Sequence, residues 1–482
     1  MLNSLISLNK IYQQNPQQIL FAEGDIKLTA KNFASNMMAY IKQHHHEKKV
    51  IGIFGNNSID WAIAECGLSA TNNIFVPLPR FFSDEQLSAV IINSKLDLIY
   101  TDKTNFDRIK KLFDKTLLFL KNSENTFVMP LNNIHKRIIY TSGTTGSPKG
   151  VIQTDIQINF IVKLLINHFK VNKGDVYFSL LPISTLLEQI TSIHSVLETS
   201  SKTIFDPKIS NQIFNLKNNF IKKVIKKKTS ILCLTPTLLE ALINFYEMFP
   251  SYLLLVRFKA ITVGGSKCSL NLLERAKKLK LPVIEGYGLS EACSVVAVND
   301  LDKPKLGSVG KPLPGVSVKI IKNEIVIQSK SLMEGYLGSK KRLNKKFYTG
   351  DLGFIDKEGY LTVSGRKDEI IALKNGRSIN PSWIKQLITK SLKIYEVYVF
   401  CNNEGKLAIA VKNYSNNNFK ELKKKIDLVV PEYARPERIY FINSIFLRKN
   451  KLLNSNGKVI KQKLYHTINS NLNIQKGKND IL

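Results

Sequence analysis

The first hundred residues alternate short apolar, β-branched runs with amphipathic stretches of helical length. VIGIF from Val50 gives way to SIDWAIAECGLSA, then to NIFVPL from Asn73, SDEQLSAVIINS, and LDLIY from Leu96. A short apolar run without alternation suits a strand covered on both faces, and an intervening helix returns the chain to the same edge of the sheet. The rhythm therefore predicts a parallel sheet layered with helices. It returns where SILCLTP precedes LLEALINFYEMF and where AITVGG precedes NLLERAKKL. Ser83 and Gln86 have the spacing of a capping box that opens one of the helices.

From about Pro312 the texture changes to β-rich stretches, VSVKII, EIVIQS, LGFID and YLTVSG, separated by Gly, Lys and Asp turns. Past Gly365 a charged segment, RKDE, precedes a compact region with its own apolar runs, YEVYVF and KLAIAV. A chain of 482 residues exceeds one simple core. The expected class is α/β: a large N-terminal domain of parallel-rich sheets with helices plus a β-rich subdomain, residues 1–366, and a small α+β C-terminal domain, residues 367–482.

Seventy Lys and Arg against 38 Asp and Glu give a formal charge of +32. The surplus is lysine spread along an Asn- and Ile-rich chain, a composition that need not signal nucleic acid, and no nucleic-acid partner is expected. The densest run, residues 222–228 (KKVIKKK), is expected to be a solvated helix face or loop, with a membrane-surface or polyanion contact as the alternative. Cys66, Cys233, Cys268, Cys293 and Cys401 stand far apart, which fits reduced, mostly buried thiols and no zinc or redox motif. The triplet His44 to His46, in the polar segment IKQHHHEKK, is expected at the surface and not around a metal. No stretch is apolar enough to span a bilayer and the start lacks the character of a secretion signal, so a cytoplasmic location is expected, with peripheral contact at the inner face of a membrane as a possibility.

The most specific segment is residues 140–151, YTSGTTGSPKGV, after the strand-like RIIY. Glycines at 143, 146 and 150 interleave with the hydroxyls of Thr141, Ser142, Thr144 and Thr145, while Lys149 adds charge. Backbone N–H and hydroxyl groups in this order suit a loop that wraps phosphate oxygens. It differs from a Walker A loop, since Lys149 follows proline and precedes glycine.

On this segment and the motifs that follow it in order, from about Leu28 to Leu464, the chain resembles the acyl-adenylate-forming superfamily, most closely its long-chain fatty acid–CoA ligases. The resemblance makes the loop, Thr141, Ser142, Gly143, Thr144, Thr145, Gly146 and Lys149, a phosphate-binding element. EGYGLSE then resembles the family's YGxTE motif. Through it Glu285, Gly286, Tyr287 and Gly288 are assigned to the nucleotide, with Tyr287 stacking on adenine, Ser290 bonding a phosphate oxygen, and Glu291 holding Mg²⁺. A carboxylate beside a triphosphate suits a metal that bridges hard oxygens. Gly264, Gly265 and Ser266 resemble the glycine pair that passes close to nucleotide and acyl group. YTGDLG matches the TGD motif, which implies that Asp351 accepts from the ribose hydroxyls. In GRKDEIIALKNGRSINP, Arg366 resembles the ribose- or phosphate-contacting arginine, Asp368 the hinge about which a mobile small domain turns, and Arg377 a basic residue near the phosphate or incoming thiol. Lys458, in NSNGKVIKQKL, stands where the family keeps its catalytic lysine, although the usual Arg-Thr before the glycine is absent.

The resemblance implies ATP, Mg²⁺ and coenzyme A as cofactors and co-substrates: a carboxylic acid is adenylated, pyrophosphate leaves, and the acyl group passes to a thiol. LLPISTLLEQ, with Glu188 at the acidic position and Thr185 where many relatives have histidine, and GRSINPSWI both resemble fatty-acid members, so a medium- or long-chain fatty acid is the expected substrate. An aryl- or amino-acid substrate stands as the competitor. Coenzyme A is the expected acceptor and an acyl carrier protein the alternative. A second class stays open: a non-catalytic basic binding protein on a degenerate ligase fold.

Overall fold

In the computed structural model the described residues are 1–44, 48–120, 127–128, 134–141, 148–212, 217–339, 346–369, 371–372, 378–394, 396–412, 419–453 and 459–471. They divide into two compact units. The first comprises Met1–Lys319, Val326–Phe347 and Asp356–Leu361, and the second Ile320–Ile325, Tyr348–Ile355 and Thr362–Leu482.

Two large sheets dominate the first unit, of nine and seven strands among the described residues. In the larger, Ile19–Glu23, Lys202–Phe205, Val176–Phe178, Ile231–Leu234, Ala260–Val263 and Val283–Tyr287 run side by side and parallel. In the smaller, Leu98–Thr101, Val50–Phe54, Ile74–Pro77 and Lys136–Thr141 are parallel, and Lys149–Thr154 returns antiparallel to the last of them. The strand–helix alternation thus produces the layering it predicts. Ser83 and Gln86 form the reciprocal capping box of the helix Asp84–Ser94. The strands Val316–Ile321, Glu324–Ser329, Phe347–Ile355 and Leu361–Arg366, read from the sequence as a β-rich stretch, make a four-stranded sheet. Among the described residues no helix is long and apolar enough to cross a membrane.

The helix Ile59–Ser69 is buried almost all round, so its Glu65 enters the interior as a fully buried carboxyl. Arg137, one residue into the strand Lys136–Thr141 and equally buried, pairs with it at 2.8 Å. His194, at the end of a π-helical turn, lies 3.1 Å from the same oxygen. Burial raises the Glu65 carboxyl pKa, but the His194 hydrogen bond and the Arg137 charge outweigh it and hold the group below its usual value. Burial lowers the pKa of His194. Arg137 supplies the permanent counter-charge to the buried carboxylate.

In the second unit Val397–Cys401, Leu407–Lys412 and Arg438–Ile442 form a three-stranded sheet with cores on both faces. Side chains alternate between the two cores, as pleating requires. Val397, Val399, Ile409 and Ile439 pack against Ile384, Ile388, Leu422 and Ile426, whereas Phe400, Ala408, Ala410 and Tyr440 pack against Leu464 and Ile468.

Helix ends show an unusual choice of residue. Lys95, Lys170 and Lys393 occupy left-handed positions at helix C-termini, with φ of 52°, 50° and 56°. Glycine is the residue usually found there. A lysine at that place costs backbone energy, although its charge complements the helix dipole.

Four cysteines are buried and Cys401 is half-buried. In the run at 222–228, Lys222, Lys223, Lys226 and Lys228 are exposed while Val224 and Ile225 are buried, as a solvated helix face requires. The histidine expectation needs correcting at its first member. His44 is buried, and its Nε2 lies 2.8 Å from the Tyr100 hydroxyl. The helix Ala30–His44 continues one turn past Tyr40, which itself stacks edge-on against Tyr100, and so carries His44 onto the same ring. His45 and His46 lie outside the described residues.

Candidate active site

Parallel strands end together, and their C-terminal edge is where an α/β sheet presents unpaired backbone to a ligand. Ala260–Val263 leads into Gly264, Gly265 and Ser266, and the neighbouring strand Val283–Tyr287 ends in Gly286 and Tyr287, followed by Gly288. Gly265 has φ +75°, and a Cβ built there meets nothing within 4 Å; at Gly264 the nearest atom is the Gly286 carbonyl oxygen at 3.7 Å. Backbone conformation explains the glycine at 265, while at 264 a side chain would make only ordinary contact.

Glu285, assigned from the sequence to the nucleotide, has its carboxylate engaged elsewhere: it accepts a 3.0 Å hydrogen bond from the Cys268 backbone N–H. Burial pushes this carboxyl up to about 7, against the Cys268 hydrogen bond and the charge of Lys267. In the described structure Glu285 fastens the turn that carries Gly265 and Ser266.

The next turn is constrained more tightly. A Cβ on Gly288 would lie 1.5 Å from the Ser294 carbonyl oxygen, so no side chain fits. Cys293 and Ser294 take φ of 54° and 83°, folding the chain back over Gly288. Between them the turn Ser290–Ala292 presents Ser290 and Glu291. One Glu291 carboxylate oxygen accepts from the Tyr336 hydroxyl at 2.8 Å, and the Glu291 carbonyl accepts from the Met333 N–H at 2.8 Å. The Ser290 carbonyl accepts from Gln153 Nε2 at 2.6 Å.

Gln153 and Tyr336 were not read from the sequence, and both lead back to the phosphate-loop hairpin. Gln153 is fully buried in Lys149–Thr154, the strand that returns from the hydroxyl-rich segment. Tyr336 pairs beside Val151 of the same strand. Thr141 and Lys149 face each other across the hairpin and form its two posts. Ser142, Gly143, Thr144, Thr145 and Gly146 lie outside the described residues. The hairpin and the Ser290–Glu291 turn are therefore one hydrogen-bonded assembly. Among the described residues no group of three or more His, Cys, Asp or Glu could hold a metal. A lone carboxylate with a second oxygen to spare fits a magnesium ion whose other ligands are substrate oxygens and water.

The Glu291 geometry yields a prediction. Tyr336→Phe removes the phenolic donor and leaves the ring, so the rate of acid-dependent pyrophosphate release is expected to fall about tenfold, the value of one hydrogen bond to a charged group. Raised magnesium should recover part of that loss, and a titration of rate against magnesium measures it.

In the second unit, the strand Phe347–Ile355 carries Thr349, Gly350 and Asp351. The Thr349 hydroxyl donates to the Ile325 carbonyl at 2.8 Å and accepts from the Asp351 N–H at 3.0 Å. Gly350 has φ +72°, and a Cβ there would press on the Arg366 guanidinium at 3.2 Å. Arg366 Nη1 donates to Asp351 Oδ1 at 2.9 Å and to the Thr349 carbonyl at 3.1 Å, while its Nε reaches Asp368 at 3.2 Å. The structure thus joins three residues that the motifs listed separately. Glu324, which sequence reading passed over, accepts from the Gly350 N–H at 3.0 Å and pairs with Lys367 at 2.9 Å. Arg377 and Lys458 lie outside the described residues.

The two features taken as signs of a fatty acid have structural duties. Glu188 is fully buried and accepts from the Tyr177 and Ser179 hydroxyls at 2.8 and 2.6 Å. Burial pushes its carboxyl up to about 8. In GRSINPSWI, Asn380 caps the helix Pro381–Leu392, proline takes its first turn, and Trp383 packs on the second unit's own core. Neither observation reports on an acyl chain.

Comparison with known proteins bears on the whole arrangement. Over 422 residues the chain is 26% identical to the 2-succinylbenzoate–CoA ligase of Bacillus licheniformis, covering 80% of this chain and 84% of that protein. It is 23% identical to fatty acyl-CoA synthetase B of Dictyostelium discoideum, over 76% of this chain and 68% of the relative. Among solved structures, the o-succinylbenzoate CoA synthetase of Bacillus subtilis, in complex with its acyl-adenylate intermediate, shares the fold with a TM-score of 0.82, covering 99% of both chains at 19% identity. The model of one family, described as AMP-binding enzyme, spans residues 24–337 and so takes in the hairpin, the glycine turn and the Ser290–Glu291 turn together. By that match this chain belongs to the AMP-binding enzymes.

Proposed function

We propose that the chain is an AMP-forming acid–coenzyme A ligase acting on an aromatic carboxylic acid of the 2-succinylbenzoate class. The observation that carries the ligase reading is the hydrogen-bonded union of the phosphate-loop hairpin with the Ser290–Glu291 turn through Gln153 and Tyr336. A binding protein has no need to fix a carboxylate at that spot. The substrate class is supported by the relatives, among which 2-succinylbenzoate–CoA ligases recur. The expected fatty acid loses its support with the structural roles of Glu188 and Trp383.

A carboxylate oxygen attacks the α-phosphorus of ATP, the bond to the β-phosphate oxygen breaks, and pyrophosphate leaves. The coenzyme A sulfur then attacks the acyl carbon and AMP departs. The chain's part in the first step is to hold charge in place. Thr141, Lys149 and the hydroxyls between them grip the departing phosphates, and Lys458 neutralises charge that grows on the transferring phosphorus. Glu291 would hold magnesium, which supplies charge neutralisation of the triphosphate. Asp351, set by Arg366 and Thr349, accepts from the ribose hydroxyls, and Tyr287 lies against the base. Arg377 attends the phosphate or the thiol, and Asp368 carries the hinge of the small domain.

The test is pyrophosphate release from MgATP with 2-succinylbenzoate, benzoates, fatty acids of graded length and amino acids, each with and without coenzyme A. Release and thioester formation with the aromatic acid are expected. Preference for a fatty acid restores the alternative substrate, release that stalls at acyl-AMP points to a carrier protein, and silence with every acid supports the degenerate fold.

A further inference from the structure

The parallel sheet that carries the glycine turn has a second edge, and its composition is unlike the first. Four neighbouring strands there are entered through basic connections. Lys170 and Lys173 precede Val176–Phe178, Lys226 precedes Ile231–Leu234, Arg257 precedes Ala260–Val263, and Lys278 and Lys280 precede Val283–Tyr287; all six side chains are exposed. Because these strands are parallel neighbours, the six cations share one edge. Of the acids nearby, Asp175 is committed to Lys259 and Glu247 to Arg275, and Glu274 shares the helix Leu270–Lys278 with Lys278, which leaves the cations in excess.

An apolar projection leaves the same edge. The helix Pro236–Met248 runs from the C-terminal end of Ile231–Leu234 back toward the start of Ala260–Val263, and a short 3-10 helix, Pro250–Leu255, follows. Tyr252 and Leu253 anchor this segment on the core. Met248, Phe249, Leu254 and Leu255 face water, at 70%, 44%, 87% and 58% exposure. Among the described residues no other eight-residue stretch exposes four large apolar side chains. Single exposed apolar residues are ordinary, whereas a cluster ringed by charge marks an interaction surface.

We infer that this edge docks on an anionic lipid bilayer, with Leu254 and Leu255 entering the interface and the lysines meeting the headgroups. Charge complementarity selects the occupant. A nucleic acid would use the cations and leave the leucines in water, while a lipid surface satisfies both. Docking there leaves the opposite edge, with Gly264, Gly265 and Gly288, open to substrate.

Flotation of the full chain with vesicles tests this, using phosphatidylcholine alone and phosphatidylcholine with one third phosphatidylglycerol. Binding to the anionic vesicles is expected, with little to the neutral ones. Lys226→Ser and Lys278→Ser should each weaken it about fivefold. Leu254→Ser with Leu255→Ser should weaken it about tenfold or more, with melting temperature and pyrophosphate release unchanged. Failure to bind anionic vesicles, equal binding by the leucine variant, or retention on single-stranded DNA in place of vesicles overturns the proposal. Because flotation needs no substrate, its outcome is independent of the ligase reading.

Discussion

Lys458→Ala is expected to slow acyl-AMP formation about 10²–10³-fold, the cost of removing one fixed group from a developing phosphoryl charge, while thioester formation from supplied acyl-AMP continues at close to the original rate. The asymmetry follows from the proposed chemistry. Charge builds on the transferring phosphate only in the first half-reaction, and once the adenylate exists a lysine on that phosphate has nothing left to neutralise. Two assays measure it: acid-dependent pyrophosphate release, and coenzyme A thioester formation from synthetic acyl-AMP. Equal loss in both would show that Lys458 supports the fold or the thiol step and would leave the first step without its cation.

The largest effect on stability should come from Arg137→Met. Both Arg137 and Glu65 are fully buried, so deleting one leaves the other charge uncompensated, at a cost of about 3–5 kcal/mol. The pH dependence gives the effect a signature. In the wild type the Glu65 pKa is depressed in the folded state, so its contribution is present above the ordinary glutamate pKa and is lost as pH falls through the folded value. In the variant the carboxylate has lost its main counter-charge, its pKa rises, and protonation relieves the strain. The stability deficit, read from urea unfolding, should therefore be largest at neutral pH and shrink on acidification. Adding Glu65→Gln should recover much of it at neutral pH. Since Arg137 lies in the strand leading to Thr141, the variant also tests whether the phosphate hairpin depends on this buried pair.

Local chemistry was the part of this molecule most legible in the sequence. The parallel layering follows from the alternation of apolar runs and helical segments, and the capping box at Ser83 from a spacing of three residues. Features formed by distant residues were hidden. Gln153 meets Ser290 across 137 positions, and nothing in VIQT announces that its glutamine points inward to a carbonyl. Tyr336 and Glu324 were passed over for the same reason. His44 and Glu188 show the converse error. A histidine in a polar run and a glutamate in a motif were read by their neighbours in sequence, whereas Tyr100, Tyr177 and Ser179 decide where they sit. Glu285 shows a motif position whose side chain, in this fold, positions a turn.

The central claim is that the acid is activated as an adenylate. The most direct measurement is to supply 2-succinylbenzoate with its carboxylates labelled in heavy oxygen, together with MgATP and coenzyme A, and to weigh the AMP and pyrophosphate produced. Attack of the carboxylate on the α-phosphorus predicts one labelled oxygen in AMP and none in pyrophosphate. Unlabelled AMP, or label appearing in inorganic phosphate, would contradict it.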